Sequence, residues 1–268
     1  MPSFQVHLIE AKSDLPLYVI TNGVLYTRPP IWLTLWQPPN NPAPNSFTAF
    51  NMASANLSLR LTCSFSADLV GKTLSLQGVL NNVPAVGCVV HVTGTGVIVA
   101  QPFILLGGRP GPVAYRGPFL WRLLEGTQVI ATFGTQTRLE LYTASSPAPA
   151  LWPSYGVAVS VLRHYLPEWN LATRVWLLPQ FYNFTAQSVF GSAFRYDTVY
   201  GAPRFAQTGL GGFYRLERYI NELEAGLTSA VNCYDMAGIV QIILSVYRSY
   251  NAVTWNFIQP CGYINQTQ

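Results

Sequence analysis

Along the first half of the chain, apolar and polar positions alternate with a period of two. Leu57, Leu59, Leu61 and Cys63 alternate with Ser58, Arg60 and Thr62, the pattern of a strand with one face buried. Ile31, Leu33 and Leu35 repeat it, as do Leu74 and Leu76, and the runs at 89–90, 97–99, 129–133 and 138–142 are β-branched or aromatic stretches of strand character. Turn signals fall at Thr21-Asn22-Gly23, Leu80-Asn81-Asn82 and Phe133-Gly134. Many short strands broken by Gly, Asn and Pro predict an antiparallel β-sandwich or barrel. The period then lengthens to three and four. Val157, Val161, Leu162 and Tyr165 predict a short helix that stops at Pro167. Leu216, Tyr219, Ile220, Leu223 and Leu227 predict a second, with Glu217, Glu222 and Glu224 on its other side; Met236, Val240, Ile243, Leu244 and Tyr247 mark a third. Residues 252–258 read as a strand.

The change of period coincides with the run Ala144-Ser145-Ser146-Pro147-Ala148-Pro149, a linker composition. The predicted fold class is therefore α+β: an antiparallel β-sandwich over 1–146, followed by a smaller α+β region over 147–268 built around the third helix. Two proline-rich stretches, 37–46 and 107–118, are expected to be surface loops.

Composition narrows the function classes. Of 268 residues half are hydrophobic and a tenth charged, which excludes a disordered chain or a coiled coil, since both need many charges. The net charge of +4 comes from 15 basic and 11 acidic residues with no basic run, and Lys12 and Lys72 are the only lysines. A groove that tracks phosphates needs clustered cations, so no nucleic-acid partner is expected. The aromatic–Arg strings Phe194-Arg195-Tyr196-Asp197 and Tyr214-Arg215-Leu216-Glu217-Arg218-Tyr219 read as surface cation–π and ion-pair contacts. The most apolar stretch, 86–106, is interrupted by Gly87, His91, Gly94, Gly96 and Pro102 and reads as two strands, so no membrane association is expected. His7, Glu10, Lys12 and Asp14 interrupt any signal-peptide core, which leans the expected location to the cytoplasm. His7, His91 and His164 are scattered and the four cysteines form no C-x-x-C pair, so neither a metal site nor a cofactor is expected.

One segment carries candidate chemistry. Asn232 is a strong N-cap residue and Asp235 follows in the first turn, which places Cys233 at the first helical position. Unpaired N–H groups and the helix dipole favour a thiolate there. Ala237 and Gly238, behind it, are small enough for another segment to approach. The string Val231-Asn232-Cys233-Tyr234-Asp235-Met236-Ala237, followed by an apolar helix and a strand, resembles the nucleophile segment of the papain-like and transglutaminase-like cysteine hydrolases. The resemblance spans under thirty residues. It implies that Cys233 is the nucleophile of an acyl transfer on a peptide or protein substrate, with a histidine and an acid or amide on strands packed against the helix. No histidine follows Cys233 in the 35 residues that remain. The base is then expected either beyond Gln268 or upstream, with His164 as the first candidate. Two other readings of Cys233 stay open, a buried thiol and a disulfide with Cys261.

The competing function class is a non-enzymatic binding or assembly module. Trp32 and Trp36 share one face of a predicted strand and would offer a carbohydrate two aromatic faces if exposed; the alternative is that they fill the core. Oligomeric state is not legible in the sequence.

Overall fold

The structure, a computed structural model, describes residues 1–21, 23–38, 46–54, 56–106, 111–145, 152–168, 178–199, 201–207 and 213–246. The predicted strand at 252–258, the apolar positions beyond 246, Cys261 and most of the proline-rich stretch after Trp36 lie outside them. The strands are β1 (Phe4–Lys12), β2 (Leu17–Thr21), β3 (Val24–Arg28), β4 (Trp32–Trp36), β5 (Phe47–Asn51), β6 (Leu59–Phe65), β7 (Thr73–Leu80), β8 (Val83–His91), β9 (Ile98–Ala100), β10 (Ile104–Leu105), β11 (Val113–Glu125), β12 (Gln128–Ala144), β13 (Val157–Ala158), β14 (Arg195–Tyr196) and β15 (Ala230–Val231). The helices are α1 (Val159–Tyr165), α2 (Leu178–Phe190), α3 (Leu216–Glu224) and α4 (Cys233–Ser245). The fold is α+β with a β-rich N-terminal half, as the hydrophobic pattern predicts.

A four-stranded sheet in the order β4-β1-β6-β9 faces a six-stranded sheet in the order β10-β8-β7-β11-β12-β5. Between them lies one apolar core, to which the first sheet contributes Val6, Leu61 and Cys63 and the second Leu76, Trp121 and Leu123. Strand β6 shows why the sequence pattern is so clean: its residues alternate buried and half-buried from Leu59 to Phe65, as a strand with one face on a core must. The turn at Asn81-Asn82 is the predicted one. Both asparagines have positive φ, 51° and 65°, the backbone of a two-residue type I′ turn, which matches the twist of the strands it joins. Trp121 fills the centre, fully buried, with its Nε1–H donating to Thr137 Oγ1 at 2.9 Å. Gly78 lies beneath it, where a Cβ would come within 2.8 Å of the indole.

The second core joins the two halves. Leu17, Phe47, Ala49, Ala114, Tyr142 and Ala144 pack with Val161, Phe181, Ile239 and Ile243. The β5–β12 end of the large sheet is therefore covered on both faces: Leu139 and Leu141 point into the sandwich, Tyr142 and Ala144 toward the helices. That explains β5, which the alternation does not reveal. It pairs in parallel with β12 and is buried from Phe47 to Phe50, and a strand buried on both faces reads as a continuous apolar run. Residues on both sides of position 146 thus share a core.

Several local expectations are corrected. The runs at 129–133 and 138–142 belong to one 17-residue strand, so Phe133-Gly134 is no turn. The reversal lies at Gly126-Thr127, with Gly126 at φ +62°. The stretch 107–118 is not wholly a loop, since β11 begins at Val113 and Pro118 sits within it opposite Arg138. Helix α2, with Phe181, Thr185 and Val189 buried along one side, has no counterpart in the sequence reading. Helix α3 ends at Glu224, leaving Leu227 exposed, and its Glu222 is buried rather than solvent-facing. In α4 the buried stripe runs through Met236, Ile239, Ile242, Ile243 and Val246, with Val240 and Leu244 only partly covered. Trp36 is core and Trp32 lies a third exposed beneath the Arg60 guanidinium, 4.3 Å from its ring centre.

Candidate functional site

The start of α4 is built as the local sequence predicts. Asn232 Oδ1 accepts from the backbone N–H groups of Tyr234 and Asp235 at 3.0 and 3.1 Å, and Asp235 Oδ2 accepts in return from the Asn232 N–H at 3.1 Å. This reciprocal capping satisfies donors that a bare helix end would leave without partners. Cys233 follows as the first helical residue, and its side chain is exposed. Asn232 and Asp235, at 1% and 0% exposure, point into the protein. The exposed side of α4 continues one turn later at Ala237, so the small residue leaves the approach to the thiol open along the helix.

The tertiary structure adds a collar that wraps this helix start. Residues 195–197 run parallel to β15, with the Asp197 N–H donating to Val231 O at 2.7 Å. Gly201 O then accepts from Asn232 Nδ2 at 2.7 Å. Finally the Arg204 N–H donates to Asp235 Oδ2 at 2.8 Å, and those of Phe205 and Ala206 to Oδ1 at 2.7 Å each. The two buried capping residues, Asn232 and Asp235, therefore each hold a different part of one segment around Cys233. Tyr196, on the collar and mostly exposed, has its phenol beside Cys233. Loss of solvent, then the neighbouring Cys233, raises its phenol above the ordinary value, so it stands as a proton donor at neutral pH.

Behind the collar, Glu222 gathers four hydrogen bonds from three partners. Arg204 binds it in two bonds of 2.8 and 3.0 Å, Arg218 donates at 2.9 Å and Ser229 Oγ at 2.6 Å. The Arg204 bond above all, against some burial, holds its carboxyl down at about 2. Phe194, Phe205, Tyr214 and Tyr219 form the aromatic floor, tied to α1 by a 2.6 Å bond between the Tyr165 and Tyr219 hydroxyls. The aromatic–Arg strings thus serve as floor and collar of the Cys233 site.

The histidines lie elsewhere. His164 Nε2 is 3.1 Å from Glu224 Oε1, His7 Nε2 meets Ser64 Oγ, and His91 Nδ1 meets Thr73 Oγ1, each at 2.8 Å. Among the described residues no hydrogen bond joins any of them to Cys233, and no group of three or more His, Cys, Asp or Glu is placed to hold a metal ion. Cys63 and Cys88 are free, and burial pushes both thiols up to about 12. Cys233 is a free thiol as well. No helix of the described residues is long and apolar enough to cross a membrane. Sequence reasoning missed Gly201 and the 204–206 segment altogether, since their role is to donate or accept through the backbone. No protein-family profile, curated protein or solved structure matches this chain.

Proposed function

We infer that this chain presents the nucleophile of a thiol-dependent acyl-transfer enzyme, of peptidase or transglutaminase-like type, with Cys233 as the attacking residue. One observation carries the reading. Asn232 and Asp235 are buried and fully engaged, yet Cys233, which follows Asn232, is an exposed thiol on the first turn of a buried helix. A structural cysteine is ordinarily buried; this one is held out rigidly by its neighbours.

In the reaction so assigned, the Cys233 thiolate attacks an amide carbonyl carbon, the carbonyl π pair moves to oxygen, and the tetrahedral oxyanion collapses to a thioester as the C–N bond breaks and the amine leaves with the proton that the thiol gave up. Water or a second amine then attacks the thioester and returns the thiol. The Cys233 N–H, at the start of α4, can donate to the oxyanion, and the Tyr196 phenol stands beside it. The step also needs a proton acceptor for the thiol. His164, anchored on Glu224, makes no bond to Cys233 among the described residues, and the assignment rests on Cys233 rather than on it. The alternative as a carbohydrate-binding module is less favoured, since Trp36 is buried and Arg60 covers Trp32.

The test is alkylation of the native protein with iodoacetamide between pH 5 and 9, with peptide mass mapping. Cys233 is expected to label first and well before unfolding, and Cys233→Ser to abolish that adduct, while Cys63 and Cys88 stay unlabelled until the sandwich opens. Labelling of Cys233 only after denaturation, or no faster than a free cysteine peptide at every pH, overturns the assignment.

A further inference from the structure

The main chain sets where Tyr196 stands relative to Cys233. Strand β14 pairs in parallel with β15, with Arg195 opposite Ala230 and Tyr196 opposite Val231. Two bonds lock that register, from the Arg195 N–H to Ser229 O at 3.0 Å and from the Asp197 N–H to Val231 O at 2.7 Å. The backbone stays extended through Asn232, at φ −119° and ψ −176°, so Cys233 lies one strand repeat past the residue opposite Tyr196. An aromatic side chain spans such a diagonal, and the phenol stands beside Cys233. Further along the collar, Gly201 O accepts from Asn232 Nδ2 at 2.7 Å, which ties the segment down a second time. The helix cap meanwhile takes the donors around the thiol. Asn232 Oδ1 holds the N–H groups of Tyr234 and Asp235, Asp235 Oδ2 holds that of Asn232, and Asn232 O holds that of Met236. Of the N–H groups from 232 to 236, that leaves the one on Cys233. An oxyanion is held by converging donors, and a single N–H is not a pair.

We propose that Tyr196 is a catalytic residue of the acyl transfer assigned to Cys233, its phenol O–H donating to the oxyanion alongside the Cys233 N–H. The proposal rests on that assignment and names the second donor it needs. Loss of solvent, then the neighbouring Cys233, holds the proton on the phenol, so at neutral pH Tyr196 offers an O–H and does not act as a base. As the thiolate bonds to the carbonyl carbon, the π pair moves to oxygen and the phenol donates a hydrogen bond to it while keeping its own proton. When the C–N bond breaks, the pair returns to the carbon–oxygen bond and the phenol is left unchanged.

p-Nitrophenyl acetate tests this on the whole chain, because p-nitrophenolate leaves without a proton and the reaction needs no group beyond the thiolate and the oxyanion donors. The Cys233 thiolate bonds to the acetyl carbon and the C–O bond breaks; release of p-nitrophenolate is read together with the mass of the acetylated Cys233 peptide. Iodoacetamide on the same samples is the control, since displacement at a saturated carbon forms no oxyanion. In Tyr196→Phe, acetylation of Cys233 is expected to fall at least about tenfold, within the hundredfold or more that one such donor is worth, while alkylation does not slow. A smaller fall overturns the proposal. So does equal slowing of both reagents, because the phenol then acts on the thiol itself, and so does a parent alkylated at Cys233 yet never acetylated. Each of those results leaves the reactive thiol standing. A parent that takes neither reagent at Cys233 removes the nucleophile and this proposal together.

Discussion

Asp235 accepts hydrogen bonds from four backbone N–H groups, at 2.7, 2.7, 2.8 and 3.1 Å, and is fully buried. Asp235→Ala removes all four acceptors at once. An orphaned buried donor costs about 1 kcal/mol where water can enter and up to about 3 kcal/mol where it cannot. The Asn232 and Phe205 donors are buried and the Arg204 and Ala206 donors partly so, so the sum is roughly 4–8 kcal/mol, a large part of the 5–15 kcal/mol typical of a whole domain. Asp235→Asn keeps one carbonyl oxygen but turns an NH₂ group toward two donors, and about half that loss is expected, roughly 2–4 kcal/mol. The damage should be local, because the sandwich core shares no residue with this cap. Urea titration followed by circular dichroism reports the global change, and hydrogen exchange on the α4 amides separates the helical region from the sandwich. A loss below about 1 kcal/mol for Asp235→Ala, or unaltered α4 protection, would falsify the account of the collar as held by this carboxylate.

Three further outcomes follow from named contacts. Glu222 has its carboxyl held at about 2 in the folded protein against an ordinary value of 4.5, so its contribution is complete above pH 4.5 and disappears as the pH falls through 2. After allowance for two partly exposed arginine partners, Glu222→Gln should cost about 1–2 kcal/mol at pH 7 and progressively less between pH 4.5 and 2, read by urea midpoints across that range; a pH-independent difference refutes the assignment. Gly156→Ala should prevent β13 from docking on β2, since φ is +112° and a Cβ would lie 2.0 Å from Pro16 O; a melting temperature within about 2 °C of the parent contradicts it. Tyr196→Phe removes the hydroxyl beside Cys233, and iodoacetamide should then reach that thiol at least about twofold faster, whereas an unchanged rate means the phenol does not guard it.

What the sequence by itself determined is local. The alternation in β6, the Asn81-Asn82 reversal and the capping of α4 each depend on interactions within a few residues, and each stands in the structure as read. Cys233 as first helical residue belongs to the same class, because Asn232 and Asp235 close the cap between themselves. What the tertiary structure decided involves partners far along the chain. Strand β5 hid its identity because it pairs in parallel with β12, some ninety residues away, and is buried by the sandwich core on one face and the helical region on the other. Glu222 reads as a solvent residue by helical period, yet it is buried because Arg204 and Ser229 converge on it from outside the helix. His164 sits on a predicted helix as expected, but long-range packing of α1 against α3 gives it Glu224 as its partner. The collar at 196–206 is the clearest case. It is recognised through backbone N–H and C=O groups, which every sequence possesses, so only their placement in space can distinguish it.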